Sequence, residues 1–107
     1  MYENNLLKAD IDISASGDSE IIAAPSEGFI AIDHINFLPT SAVSVQLKSG
    51  SDAYGADYPL DGKQAFTLEN AFNSHKGVIT CGNEEAFNIN LNGAVQVSGF
   101  VRYRVVI

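Results

Sequence analysis

The sequence is short of cysteine, tryptophan and long apolar runs, and these shortages exclude several kinds of protein. Its 107 residues contain one cysteine, Cys81, and no tryptophan. A single cysteine excludes an internal disulfide, so assembly in the cytoplasm is the simpler expectation. No apolar run approaches the roughly 20 residues of a membrane-spanning helix, and the first residues lack the basic and apolar regions of a secretory signal. We therefore predict no membrane partner and no disulfide framework.

Positive charge is also scarce. Six Lys and Arg residues stand against thirteen Asp and Glu residues, which gives a formal charge of −7. Only Arg102 and Arg104 lie close together in the sequence. A phosphate backbone would be repelled by such a chain, so nucleic acid is not expected as a partner.

The common spacings of catalytic and metal sites are missing as well. His34 and His75 are the only histidines, and no nucleophile-elbow, zinc-protease or paired-cysteine motif accompanies them. Asp52, Asp57 and Asp61 lie in one irregular loop and offer oxygen atoms, but without the spacing of a calcium loop. The sequence therefore predicts a protein that is not an enzyme, with no cofactor and no metal.

What the chain does have is an alternation of apolar and polar residues with a period of two, the pattern of half-buried strands. The clearest case is the end of the chain, where Phe87–Leu91 and Val95–Ile107 alternate on either side of Asn92-Gly93. Because Asn-Gly favours a two-residue turn, these runs are predicted to form a β-hairpin. The apolar face of that hairpin requires a second layer from the same chain.

Earlier in the chain the same alternation predicts further strands, at Lys8–Ser14, Glu20–Ala24, Phe29–Leu38, Val43–Lys48, Gln64–Leu68 and Val78–Cys81, with one short edge strand within Ala53–Gly62. The apolar phase of Phe29–Leu38 slips at Asp33-His34, which predicts a β-bulge or sharp bend. Turn residues recur about every ten positions and no convincing amphipathic helix is present. We predict one all-β domain over residues 1–107, an antiparallel sandwich or barrel of eight or nine short strands. Met1–Leu7 is expected to be a polar N-terminal arm.

Two stretches resemble a known family of proteins. The first comprises Leu47–Ser51, Tyr54-Gly55, Tyr58–Leu60 and Gly62, and the second comprises Gly82–Leu91 and Ala94–Tyr103. Together they are similar to small virion proteins of tailed bacteriophages that decorate or cement the head shell. Members often have a strand ending in Lys-Ser-Gly-Ser and, later, the patterns GEALNLNL and VxGxVxY. One departure is Glu84, which stands where the family has glycine, so the turn there is expected to differ.

The resemblance implies a jelly-roll-like β-sandwich on the outer capsid surface of a virion, assembled in the host cytoplasm. Its implied partners are the major capsid protein and further copies of itself, as a dimer or trimer. The alternative is a carbohydrate- or receptor-binding β-sandwich module of a phage tail or fibre, in which loop tyrosines would stack on sugar rings.

Candidate contact residues for the capsid or a second subunit are aromatic, leucine and arginine side chains: Tyr2, Leu6, Leu7, Tyr54, Tyr58, Phe72, Phe100, Arg102 and Arg104. The core aromatics are predicted to be Phe29, Phe37, Phe66, Phe87 and Tyr103. Phe100 and the two arginines fall on the outward parity of the last strand. An apolar face with arginine is typical of subunit contacts, and the alternative is a core that buries both faces of that strand.

Overall fold

A computed structural model describes residues 6–71 and 76–107 of the chain. Within these ranges the backbone forms ten strands and no helix: β1 (Leu7–Ile13), β2 (Gly17–Ile22), β3 (Phe29–Pro39), β4 (Val43–Ser49), β5 (Asp52–Ala53), β6 (Tyr58–Leu60), β7 (Phe66–Glu69), β8 (Ile79–Thr80), β9 (Phe87–Leu91) and β10 (Val97–Val106). The described ranges contain no helix long and apolar enough to cross a membrane. The predicted all-β class is confirmed. The strand count exceeds eight or nine because the loop after β4 holds two short strands instead of one.

The strands form two antiparallel sheets. Sheet A has the order β1-β10-β3-β7, with β8 also paired to β3, and sheet B has the order β2-β9-β4-β5, with β6 also paired to β4. β5 and β6 both pair with β4, and β7 and β8 both pair with β3, so each couple can be counted as one interrupted strand. When the resulting eight strands are renumbered in chain order, the sheet orders are 1-8-3-6 and 2-7-4-5. This is the strand order of a jelly roll, so the predicted antiparallel sandwich is confirmed and the barrel is not formed.

The core lies between the two sheets and is built from alternate residues of their strands. Its largest fully buried side chains are Phe37, Phe87, Ile11, Ile30, Ile32, Ile35, Leu47, Ile79, Ile89, Leu91, Val45 and Val97. Burying one such side chain contributes about 1.5–3 kcal/mol, so this set stabilises the fold without a disulfide. Cys81 is buried beside them, and burial raises the pKa of its thiol to about 11. Phe29 was predicted for the core but is only half-buried and lies outside the cluster.

The predicted hairpin at the end of the chain is wrong. β9 belongs to sheet B and β10 to sheet A, so residues 92–96 cross from one sheet to the other. Asn92 is held by β4 instead, because the Ser44 backbone N–H donates to Asn92 Oδ1 at 2.9 Å. Neither Asn92 nor Gly93 has a positive φ. Alternation shows which side of a strand is buried, and strands on opposite sides of one core share that pattern.

The predicted irregularity in the third strand is a β-bulge. Along the β10–β3 pair, Arg102 lies opposite His34 and Tyr103 lies opposite Ile32, which leaves Asp33 as the extra residue. The extra residue restores the phase, so Ile30 and Ile32 before the bulge and Ile35 and Phe37 after it all face the core. Asp33 and His34 therefore both lie on the outer side of the sheet.

The ends of several elements differ from their predicted positions. β1 begins at Leu7, so the predicted arm overlaps a strand by one residue, and residues 1–5 lie outside the described ranges. β2 spans Gly17–Ile22, whereas the strand was predicted to begin at Glu20 and end at Ala24. Its first residue, Gly17, has φ 89°. The strand predicted at Gln64–Leu68 is β7, which spans Phe66–Glu69, and the loop after it includes residues 72–75, which lie outside the described ranges.

Candidate functional site: the outer face of sheet A

The outward side chains of sheet A form a continuous surface, which we call the A face. It comprises Lys8, Asp10 and Asp12 of β1, Ser98, Phe100 and Arg102 of β10, His34, Asn36 and Leu38 of β3, and Thr67 and Glu69 of β7. These residues alternate with the core residues of the same strands. Leu38 is 37% exposed and Phe100 is half-buried, so the part of the chain that the structure describes does not bury this face under a second layer.

Strand register places the key side chains of the A face in two rows. Arg102 of β10 lies between Lys8 of β1 and His34 of β3. Phe100 lies in the next outward row. Directly opposed residues of an antiparallel pair have Cβ atoms about 4.5–5.5 Å apart, so each row is a set of neighbouring side chains. Arg102 and Phe100 therefore stand near the middle of the sheet.

The bulge shapes a depression in this face. Because Asp33 and His34 both point outward, they form one wall, and the chain that leaves β7 forms another. The depression has a volume of about 400 Å³ and is lined by Asp33, His34, Glu69, Asn70, Ala71, Phe100 and Arg102. It is open to solvent and contains both an aromatic ring and charged groups.

Ring stacking orders the middle of the face. The rings of His34 and Phe100 stack with centroids 5.5 Å apart and an interplanar angle of 22°. His34 Nδ1 lies 3.4 Å from Glu69 Oε1, which holds the imidazole over the depression. The guanidinium carbon of Arg102 lies 5.9 Å from the centroid of the Phe100 ring. No described carboxylate forms an ion pair with Arg102, so its donors remain available to a partner.

Arg104 has a different environment from Arg102. Its Nη1 lies 3.8 Å from Asp33 Oδ1, and Asn70 Nδ2 donates to the same oxygen at 3.0 Å. The Nε of Arg104 is buried and has no hydrogen-bond partner within residues 6–71 and 76–107. Arg104 thus braces the bulge and the start of the loop after β7, and only part of its side chain faces solvent.

The other predicted contact residues lie away from the middle of the A face. Leu6 and Leu7, at the start of β1, are 40% and 46% exposed. Tyr54 is 37% exposed, and its hydroxyl lies 3.5 Å from the Thr80 backbone nitrogen. Tyr58 packs inward against the Phe66 ring, with centroids 4.6 Å apart. The two remaining contact predictions, at positions 2 and 72, fall on residues outside the described ranges.

Sequence reasoning missed the residues of β3 and β7 that complete the depression. After the phase slip, His34, Asn36 and Leu38 share the outward parity, so the sequence did contain that signal. What it did not contain was the pairing of β10 with β3, which brings Phe100 next to His34. Glu69 reaches the site for the same reason, through the pairing of β7 with β3.

The two stretches that carry the family resemblance meet at one end of the sandwich. Ser49 Oγ donates to Glu85 Oε1 at 2.6 Å and accepts from the Gly82 backbone N–H at 2.8 Å. The Gly50 N–H donates to the Ala86 carbonyl at 2.7 Å. Glu84, in the turn between these two contacts, has φ 59°, a left-handed conformation that glycine adopts without strain. The backbone at this position is therefore one that a glycine would favour.

The described residues contain no group of three or more His, Cys, Asp or Glu side chains placed to hold a metal ion. No protein-family model matches the chain, and comparisons with curated proteins and with solved structures find no significant match.

Proposed function

We propose that this chain is a structural virion protein that decorates the assembled head of a tailed phage and binds the lattice of the major capsid protein through the A face. The observation that carries the proposal is the pair of half-buried Phe100 and exposed Arg102 at the middle of a sheet whose other side is packed core. The resemblance of the two sequence stretches to head decoration proteins supplies the kind of partner.

The chemistry of the A face suits a protein partner. Aromatic side chains and arginine are enriched at protein interfaces and dominate their binding energy when a partner excludes water from them. Arg102 has no ion pair within the described ranges, and a guanidinium binds carboxylates in a bidentate way. The partner surface is therefore expected to present a carboxylate beside an apolar patch that covers Phe100.

Decoration stabilises a shell by mass action. A protein that binds only the assembled lattice lowers the free energy of that lattice by RT ln(1 + [L]/Kd) per site. This is about 2.7 kcal/mol when the free concentration of the decorating protein is 100 times Kd. Many equivalent sites on one shell add up, so a modest affinity per site is sufficient. No bond is made or broken, and the chain needs only a rigid surface, which the sandwich provides.

Co-sedimentation tests the proposal. The purified chain is mixed with DNA-free assembled heads of the phage that carries the gene and, separately, with unassembled capsid protein. We expect saturable binding to the heads and none to the unassembled subunits. Absence of binding to heads contradicts the proposal. Absence of head binding together with a positive glycan array would favour the tail or fibre module. Tyr58 packs inward, so such a module would have one fewer tyrosine ring to stack on a sugar.

A further inference from the structure

The outer edge of β1 has no strand partner within the described ranges. β1 pairs with β10 over its full length, from Leu7 opposite Tyr103 to Ile13 opposite Val97, and it is the last strand of sheet A on that side. A free edge presents a row of backbone N–H and C=O groups that another strand can pair with. The seven residues of β1 make this the longest edge strand in the described part of the fold.

β1 lacks all but one of the features that block edge pairing. Proteins protect free edges with bulges, proline, short strands, inward-pointing charges, or charged side chains along the edge, above all lysine. The feature that β1 has is the last, in its exposed Lys8, Asp10 and Asp12. β2, the other long edge strand, has a register shift between Glu20 and Ile22, and β6 contains Pro59. β1 has an unbroken register and no proline, and its charged residues lie on the A face instead of the core side.

The sequence of β1 is complementary to itself in one antiparallel register. When Ala9 lies opposite Ala9 of a second copy, Lys8 faces Asp10 of that copy and Asp10 faces its Lys8. A shift of two residues in one direction brings Lys8 opposite Lys8, and a shift in the other direction brings Asp10 opposite Asp10. An odd shift sets outward residues against inward ones. The Asp10-centred register pairs Lys8 with Asp12 as well, but it also sets Asp10 against Asp10. Only the Ala9-centred register pairs Lys8 and Asp10 with opposite charges and sets no like charges against each other. Within one copy Lys8 Nζ lies 2.8 Å from Asp10 Oδ1, so the contact joins two such pairs into one cluster of four charges.

The exposed leucines favour the same register. Leu7 has the parity of the core residues, yet it is 46% exposed because β1 is an edge strand. In the Ala9-centred register it lies opposite Ile11 of the second copy, which extends the apolar inner side of the sheet across the contact. Leu6, 40% exposed, lies at the end of the same paired segment.

We propose that two copies of this chain associate through β1, so that their two A sheets form one continuous antiparallel sheet. The twofold axis passes through the Ala9 pair perpendicular to the sheet, as an isologous contact requires. Two A faces then lie side by side on the same surface. The inference deepens the proposed function by naming the second copy as the partner of this edge, and a dimer with two A faces gains avidity on a repeating lattice.

Sedimentation equilibrium of the full chain and four charge variants tests the proposal. The wild type is expected to form a reversible dimer. Lys8→Asp and Asp10→Lys each set like charges opposite one another at two symmetry-related positions, which is expected to raise the dimer Kd by about 10- to 100-fold. The double variant Lys8→Asp/Asp10→Lys restores opposite charges and is expected to return Kd to within about 3-fold of the wild type. Lys63→Asp makes the same charge change at an exposed residue outside sheet A and is expected to leave Kd unchanged.

The remaining outcomes overturn the proposal. A wild type that is monomeric at every concentration, or trimeric, contradicts a twofold β1 contact. If the double variant has a dimer Kd as high as the single variants, or if Lys63→Asp raises the dimer Kd equally, the Ala9-centred register is wrong. A monomeric wild type whose Lys8→Asp variant loses head binding would assign the edge to a strand of the shell instead. Dimerisation without head binding would contradict the proposed function and leave this inference standing.

Discussion

The outer faces of the two sheets differ in how their polar groups are used. The outer face of sheet B carries only polar and charged side chains on its three longest strands: Asp18 and Glu20 of β2, Ser44, Gln46 and Lys48 of β4, and Asn88 and Asn90 of β9. Lys48 Nζ lies 2.9 Å from Asp18 Oδ2, and Asn90 Nδ2 donates to Asp18 Oδ1 at 2.7 Å. On the A face a similar network of Arg104, Asp33 and Asn70 lies at the bulge.

The position of the network explains the difference between the faces. On sheet B it joins β2, β9 and β4 through Asp18, Asn90 and Lys48. On sheet A the bulge moves the network toward one end, and Phe100 and Arg102 remain without such partners in the described structure. Other polar groups of the A face are paired, Lys8 with Asp10 and Asp12 with Gln96. What sets this face apart is the Phe100 ring beside the Arg102 guanidinium, which has no ion pair in the described structure.

The largest expected effect tests the strand pair that forms the middle of the A face. A Cβ added at Gly99 would overlap the Asn36 carbonyl oxygen and lie 2.6 Å from Phe37 Cα, because β10 and β3 approach closely there. We expect Gly99→Ala to lower the free energy of unfolding by about 3 kcal/mol, measured by chemical denaturation. Gly93→Ala is the control, since a Cβ there meets nothing within 4 Å. Equal losses in both variants would mean that the close approach is not required.

A second pair of variants compares the two faces directly. Phe100→Asp places a charge at the middle of the A face, and Gln46→Asp places one at the middle of the sheet B face. We expect Phe100→Asp to weaken binding to assembled heads by at least about 100-fold, the loss seen when a central aromatic anchor is removed. Gln46→Asp should change binding by less than about 3-fold. Similar losses would erase the distinction between the faces. Gln46→Asp should not change the mass of the protein in solution, because Gln46 lies on the sheet that does not contain β1. Phe100 lies opposite Asp10 of β1, so the two variants are compared at a concentration where their masses are equal.

The two Asp-centred networks are expected to differ in strength. The Asp33 side chain is 29% exposed and that of Asp18 is 44% exposed. Asp33→Ala removes the carboxylate that pairs with the half-buried Arg104 and is expected to lower the free energy of unfolding by about 1.5 kcal/mol at pH 7. Asp18→Ala is expected to cost about 0.5 kcal/mol, as for other surface pairs. A larger loss for Asp18→Ala would reverse the comparison.

The pH dependence of the Asp18 network follows from the direction of its pKa shift. Hydrogen bonds from Asn90 and then Lys48 lower the pKa of Asp18 below its ordinary value. The stabilisation is therefore complete above the unfolded pKa of about 3.9 and is lost as the pH falls through the folded value. The stability difference between wild type and Asp18→Ala should shrink as the pH falls below about 4 in urea titrations. A difference that grows on acidification would contradict this assignment.

The smallest expected effect is a stabilising one. Glu84 has φ 59°, a conformation that costs a non-glycine residue roughly 1 kcal/mol. Glycine avoids this cost, but its unfolded chain has more conformational entropy to lose on folding, which offsets part of the gain. We expect Glu84→Gly to raise the unfolding free energy by about 0.5 kcal/mol in a thermal or urea melt. Glu84→Ala retains the strained conformation and should give no gain. A loss on Glu84→Gly would show that the glutamate side chain stabilises the turn.

Alternation in the sequence was sufficient for the local features of the fold. It located most strands, the apolar core side and the bulge at Asp33, because each depends only on the phase of neighbouring residues. It failed at Asn92-Gly93, where a local turn preference lost to the pairing of β9 and β10 with distant strands. The A face was predictable in part: Phe100 and Arg102 have outward parity, but the sequence does not show which strands border them.

The central claim is that sheet A faces the capsid lattice. Cryo-electron microscopy of heads reconstituted with the purified chain tests it directly, because the two sheets of the sandwich are distinguishable by the position of the bulged strand. The account predicts density in which sheet A lies against the shell, with Phe100 and Arg102 in the contact. Density with sheet B against the shell, or heads with no added density at saturating protein, would contradict it.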